Sequence, residues 1–272
     1  MLGLDPSVSD RMALFHPGEI LGSSPRMARL AWLGRDTMTT IGLIGGMSWE
    51  STAVYYRLLN EGVRARQGGL RSADVILHSL DFSPIADMQA KGDWEAAGDV
   101  LADSAMRLER AGAGCIVLCT NTMHKLADRI TSATKVPFLH LADVTAKAIK
   151  RSASRRPLLL ATRFTMEQRF YLGRLAAFGI EAMVPDEGER QDVHRIIYEE
   201  LCRGRIEPAS KARYLSIIAE AAARGADGVI LGCTEIGLLI SQADTALPVF
   251  DTTTLHVEAA LDFALAAESQ AA

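Results

Sequence analysis

An α/β fold made of two similar halves is predicted by two observations. From Ile41 onward, short apolar runs alternate with longer helical segments. Strands alternating with helices argue for parallel sheets covered on both faces. The chain also repeats itself weakly. At an offset of 113, Gly112 meets Gly225, Ala113 meets Ala226, Ile116 meets Val229, Val117 meets Ile230 and Leu118 meets Leu231. Farther on, Val136-Pro137-Phe138-Leu139 resembles Leu247-Pro248-Val249-Phe250, and the opening runs Ile41–Gly45 and Pro157–Ala161 pair likewise. Any two βα units share some likeness, but three matches in the same order favour duplication.

Strands are expected at 41–45, 74–80, 114–119, 136–140, 157–161, 180–184, 227–232 and 247–250. Helices are expected at 49–66, 92–111, 121–133, 143–151, 166–178, 188–203, 208–224, 235–241 and 254–267. Two α/β halves of about 100 residues each fit the repeat and the length, and the domains are taken as 40–150 plus 251–272 and 151–250. Residues 1–39 read differently. Pro6, Pro17 and Pro25 break them, Gly22-Ser23-Ser24 is turn-like, and no sustained period emerges. They are read as an appendage, translated from an upstream start codon, that adds little to activity. Full activity in a chain beginning at Met38 is the expected result, and lost activity refutes it.

Composition excludes several classes. A formal charge of -4 gives no reason for nucleic acid or an anionic membrane as a partner. No apolar stretch approaches the roughly 20 residues of a membrane helix. Four cysteines in 272 residues, with no secretory signal, read as reduced thiols in a cytoplasmic protein. Cys115 and Cys119 lie in an apolar strand without a second ligand pair, so no metal site is expected. Dimers being the commonest assembly, a homodimer is the default expectation.

The chemistry gathers at strand ends. Gly228–Leu231 leads into Gly232-Cys233-Thr234-Glu235, and Cys115–Leu118 leads into Cys119-Thr120-Asn121-Thr122. In open α/β sheets ligands bind beyond the carboxyl ends of the strands. Each stretch is expected to open a helix. Asn121, Thr122 and Thr234 are capping types, and two helix starts across a cleft would hold a carboxylate without arginine. The helix dipole is expected to lower the pKa of Cys233. Such a thiolate could attack a carbonyl, bind metal or remove a proton from carbon. Strand-end sites on pseudo-symmetric halves favour the last, with reagents on opposite faces of one carbon.

Three motifs carry a resemblance. They are Gly42-Leu43-Ile44-Gly45-Gly46-Met47-Ser48-Trp49-Glu50-Ser51-Thr52, Leu118-Cys119-Thr120-Asn121-Thr122-Met123-His124, and Gly232-Cys233-Thr234-Glu235-Ile236-Gly237. Together, from Ile41 to about Leu265, the chain resembles the cofactor-independent aspartate/glutamate racemases, in particular the bacterial broad-specificity branch. The resemblance implies two similar α/β domains and an acidic amino-acid substrate. It also implies no pyridoxal phosphate or metal, and a pair of groups that take and return the α-proton.

One departure shapes the mechanism. Many members of that family have cysteine just before the Asn-Thr pair; here Thr120 holds that position. The repeat agrees, because an offset of 113 sets Thr120 against Cys233 and Cys119 against Gly232. Neighbouring strand residues point to opposite faces, so Cys119 should face away from the cleft as a buried small hydrophobe. Cys115 shares its parity, and Cys202, after a helical run, reads as structural. Cys233 is expected to abstract the α-proton, with Thr120, or a water it holds, donating on the other face.

Other residues are weighed against ordinary roles. Met47 is assigned to the pocket wall or to core filling. Thr162 and Thr165 occupy the matching loop of the second half and are candidates for the α-carboxylate. The resemblance proposes Gln89 as a substrate contact, with an exposed helix position as the alternative. Arg163 would meet a side-chain carboxylate or solvent, and Glu235 is read as a helix cap rather than as a proton acceptor. Related superfamily activities on hydantoin, maleate or arylmalonate, and a non-catalytic amino-acid-binding role, remain as alternatives.

Overall fold

The structure, a computed structural model, describes residues 38–269. Two all-parallel sheets form its frame. The first has β1 (Ile41–Gly45), β2 (Val75–Ser79) and β3 (Cys115–Leu118) in the order β2-β1-β3. The second has β4 (Leu158–Ala161), β5 (Val229–Gly232) and β6 (Val249–Asp251) in the order β4-β5-β6. In register, Ile41 lies opposite Cys115 and Leu158 opposite Val229. Two expected strands, 136–140 and 180–184, contribute only single parallel bridges, Ile116 to Phe138 and Leu158 to Met183. Pro137 has no N–H to extend the first ladder, and Pro185 stops the second.

Counting these bridges, both halves have one topology. The chain enters at an inner strand, β1 or β4, crosses to one side, then returns to the other. Consecutive crossovers therefore part between β1 and β3, and again between β4 and β5. Those are the switch points at which α/β sheets open a crevice. The sequence repeat pairs the same elements.

The helices are α1 (Trp49–Gln67), α2 (Phe82–Lys91), α3 (Trp94–Ala111), α4 (Ala127–Ala133) and α5 (Leu141–Arg151), then α6 (Arg163–Glu167), α7 (Arg169–Ala177), α8 (Glu187–Glu199), α9 (Pro208–Ala223) and α10 (Thr252–Ser269). Helix α2 was not expected. The Asp81 side chain accepts from the Ser83 amide at 3.1 Å, and Gly92 closes the helix with a φ of 74°. A capping acid and a trailing glycine are start and stop signals visible in the sequence. The expected helix at 166–178 breaks at Gln168, whose backbone is extended. The expected helix at 235–241 is a single 3₁₀ turn, Thr234–Leu238, and the one at 121–133 begins with another, Thr122–Leu126.

Strand alternation distributes the core. Ile44, Ile116 and Leu118 face one side of the first sheet with Leu101 and Leu108 of α3. Ile41, Leu43, Cys115, Val117 and Cys119 face the other, with Tyr55 and Leu59 of α1 and Val257, Leu261 and Ala264 of α10. The second sheet has its own core, which also takes Leu141, Ala146 and Ile149 of α5. So α5, on the first-half side of the division drawn from sequence, buries its apolar face in the second core. Met38 packs on the first core, and the Thr39 amide donates to the Ala264 carbonyl at 2.9 Å. The rest of the expected appendage lies outside the described residues. Among the described residues, no helix is long and apolar enough to cross a membrane.

Three buried histidines tie the strand ends together. His124 Nδ1 donates to the Thr120 carbonyl at 2.7 Å, and its Nε2 accepts from the Leu141 amide at 3.2 Å. His256 Nε2 donates to the Leu139 carbonyl, leaving Nδ1 to accept from the Tyr55 hydroxyl. Both rings are thereby neutral. Burial, reinforced by Arg174, lowers His140 to about 4; burial lowers His256 to about 4 as well. An unfolded histidine titrates near 6.5. As pH falls, the unfolded chain therefore takes up these protons first. The stability they confer is complete above about pH 6.5 and drains away as pH falls toward 4, by at most roughly 3 kcal/mol per histidine. Denaturant titrations between pH 8 and 4 are expected to show this decline; a flat profile would refute it.

Candidate active site

The strand ends converge on one pocket. From the first half, the loop after β1 brings Met47 and Ser48, the first turn of α1 brings Ser51, and α2 brings Phe82 and Gln89. The loop after β3 adds Thr120, Asn121 and Thr122. From the second half come Thr162 after β4, Gly232–Glu235 after β5, and Ile197, Tyr198 and Cys202 from the end of α8 and the turn beyond it. Of the ten residues weighed from sequence as site groups, eight line the wall; the exceptions are Arg163 and Thr165. Thr165 lies behind it, fully buried, 3.3 Å from the hydroxyls of both Thr122 and Thr162.

Those three threonines join the halves, since Thr122 and Thr162 meet at 2.9 Å across the cleft. Asn121 is held in a definite orientation. The Thr252 hydroxyl donates to the Leu231 carbonyl, so its lone pair accepts from Asn121 Nδ2 at 3.2 Å. That leaves Asn121 Oδ1 buried and without a hydrogen-bond partner among the described residues. Gln89, read in part as an exposed helix position, is 5% exposed and donates to Met123 Sδ at 3.1 Å. Met47 is equally buried and faces the pocket.

Strand parity separates Thr120 from Cys119. Thr120 lines the pocket, whereas Cys119 is wholly buried on the opposite face with Cys115 and Val117. Burial pushes Cys115 up to about 12 and Cys119 higher still, so both are inert thiols. Cys202 departs from its structural reading. It lines the pocket, and its Sγ lies 3.7 Å from Glu235 Oε1. Of its two readings, Arg163 takes the solvent one. It is exposed and outside the pocket wall, where no lysine or arginine is found among the described residues.

Two expectations about the Cys233 loop are overturned. The thiol is not acidified. Desolvation raises it well above the ordinary value, and Glu235 and Cys202 push the same way. A five-residue 3₁₀ turn offers too little dipole to oppose them. Nor does Glu235 cap a helix; the turn has no side-chain cap. Its carboxylate reaches across the cleft to accept from Ser48 Oγ at 2.8 Å and Ser51 Oγ at 2.7 Å, while Oε2 accepts from Cys233 Sγ at 3.0 Å. Sequence reasoning missed Ser48, Ser51, Phe82, Ile197 and Tyr198. The serines alone left a trace, lying inside the glycine-rich first motif.

Comparison with known proteins agrees with this architecture. The Asp/Glu/Hydantoin racemase family matches residues 44–260. A candidate Asp/Glu racemase from Yersinia pestis is 53% identical with a TM-score of 0.79, covering 84% of this chain and 100% of that one. An aspartate racemase homologue from Pyrococcus horikoshii OT3 is 35% identical with a TM-score of 0.75, covering 84% and 99%. The broad specificity amino-acid racemase RacX of Bacillus subtilis is 24% identical over 84% of this chain and 100% of its own. The chain belongs to the Asp/Glu/Hydantoin racemase family.

Proposed function

We propose that the protein interconverts L- and D-aspartate and L- and D-glutamate without pyridoxal phosphate. Cys233 takes the α-proton from one face, and Thr120, or a water it holds, returns one on the other. The supporting observation is the pairing of groups at the two switch points. Cys233 after β5 and Thr120 after β3 line a single pocket, and the neighbouring thiol of Cys119 is turned into the core. Thr122 and Thr162, backed by Thr165, and Asn121 are suited to the α-carboxylate and α-ammonium, so that Cα would lie between the two reagents.

Solvent deuterium tests this. The protein in D₂O is expected to exchange the Cα proton of aspartate or glutamate, and exchange should vanish with Cys233→Ser. Tight binding without exchange would point to an amino-acid sensor. Uptake only into hydantoins or dicarboxylates lacking an amino group would point to the related activities.

The pair is lopsided. A threonine hydroxyl is a far weaker acid than a thiol, so it donates to a carbanion but hardly initiates abstraction. One enantiomer should turn over much faster, while the overall equilibrium constant stays at one. Thr120→Cys is expected to raise the slow direction by about 10²-fold. Polarimetry from each pure enantiomer measures it, and an unchanged ratio would count against Thr120.

A wider substrate range is favoured by one feature. No basic side chain lines the pocket among the described residues, so a side-chain carboxylate would meet only hydroxyls, amides and the anionic Glu235. The same exchange experiment, run across neutral amino acids, separates the two ranges.

A further inference from the structure

We propose that Glu235 is the positioning residue that receives the thiol proton of Cys233 and so creates the base. The proposal rests on Cys233 being the base, as argued above. The geometry is specific. Cys233 Sγ donates to Oε2 at 3.0 Å, and Oε1 is fixed by Ser48 at 2.8 Å and Ser51 at 2.7 Å. Glu235 is 4% exposed and Cys233 is half-buried at the pocket wall.

An isolated thiolate would be disfavoured here. Desolvation opposes it, and the surrounding titratable groups add no cation. Among the described residues they are Cys202 on the turn after α8, Tyr198 on α8 and Tyr214 on α9, none of them a cation. Transfer within the pair avoids the difficulty. The S–H bond breaks, an O–H bond forms on Oε2, and the pair carries one negative charge before and after. The thiolate then takes the Cα proton, reforming S–H and leaving the electron pair on the substrate. Thr120 O–H donates on the opposite face. Its alkoxide is reprotonated through water at the expense of the Glu235 acid, and every group returns to its starting state.

The bridge also gives the device a condition. Ser48 and Ser51 belong to the first half and Cys233 to the second, so the carboxylate is aimed at the thiol only when the halves meet.

Such a coupled pair has a distinctive pH signature. Thiolate formed by internal transfer is independent of pH between the two macroscopic titrations of the pair. Thiolate formed by loss of a proton to water rises tenfold per pH unit. The test follows alkylation of Cys233 by iodoacetamide, read by mass spectrometry at that peptide, together with Cα exchange. Both are measured from pH 6.5 to 9 in the full chain and in Glu235→Gln. The full chain is expected to show a plateau. Glu235→Gln should lose about 10²- to 10³-fold at pH 7 and regain tenfold per unit. A plateau that persists in Glu235→Gln overturns the proposal, because a merely structural role lowers rates without changing slope. Should that variant not fold, the full chain still decides: a tenfold-per-unit slope there overturns the proposal and a plateau supports it. Alkylation reads the pair without turnover. If exchange survives Cys233→Ser, the assignment of Cys233 as the base fails while the alkylation profile still judges Glu235.

Discussion

Cys233→Ser is expected to slow Cα proton exchange by about 10³-fold or more, while Cys119→Ala leaves it within about twofold. Both thiols sit at the end of an inner parallel strand, and motif matching alone would nominate either. Geometry separates them. Cys119 lies with Ile41, Leu43 and Tyr55 behind the sheet, where it contacts neither pocket nor solvent. Its loss removes one sulfur from a packed core, at about 1 kcal/mol. Cys233 lines the pocket beside Glu235. Serine keeps its shape but is a far poorer base, because a buried hydroxyl ionises less readily than a thiol. Proton NMR of the α-signal in D₂O reads both variants, with thermal melts confirming that each is folded. If Cys119→Ala abolishes exchange in a folded protein, strand parity has misassigned the pair and Thr120 with it.

Parity was readable because it is local. It depends on neighbours along one strand, and the internal repeat supplied a second, independent register. The same holds for the paired switch points, since 136–139 and 247–250 kept their resemblance although 136–140 makes only one bridge. What the sequence concealed depends on distance along the chain. Glu235 meets Ser48 from 187 positions away and Ser51 from 184. No periodicity connects them, so a carboxylate after Thr234 was naturally read as a local cap. The thiol pKa was misjudged for a related reason. A helix dipole can be guessed from a strand-to-helix junction, but desolvation depends on everything packed around the group. The junction itself proved too short, because Gly237 and Leu238 end it as a 3₁₀ turn. Cys202 followed a helical run that sequence extended to 203, which hid the turn that swings it into the pocket. Gln89 was ambiguous because α2 was not expected, although Asp81 and Gly92 bracket it.

Gly46→Ala is expected to cost more than about 3 kcal/mol, lowering the melting temperature by about 10 °C or preventing folding. Gly46 has a φ of 89°, where any other residue is strained by roughly 1–2 kcal/mol. Space is the larger problem. A Cβ there would lie 2.0 Å from the Leu80 carbonyl oxygen and 2.5 Å from its nitrogen. Neither atom can swing aside, because both belong to backbone and the Leu80 amide donates to the Gly45 carbonyl at 3.0 Å. On its other side, the Gly46 amide is held by Thr52 Oγ1 at 2.8 Å. Gly92→Ala is the control. Its φ is 74°, but no atom lies within 4 Å of the added Cβ. It should cost only about 1 kcal/mol, from backbone strain alone. Calorimetry of the two variants separates strain from collision, and equal losses would refute the collision. The close approach has a functional consequence. Gly46 brings the chain off β1 against Leu80, and the next two residues, Met47 and Ser48, form the pocket wall. Ser48 is one of the two hydroxyls that hold Glu235 against Cys233. Any Gly46→Ala protein that folds should therefore lose exchange activity by more than its fraction unfolded.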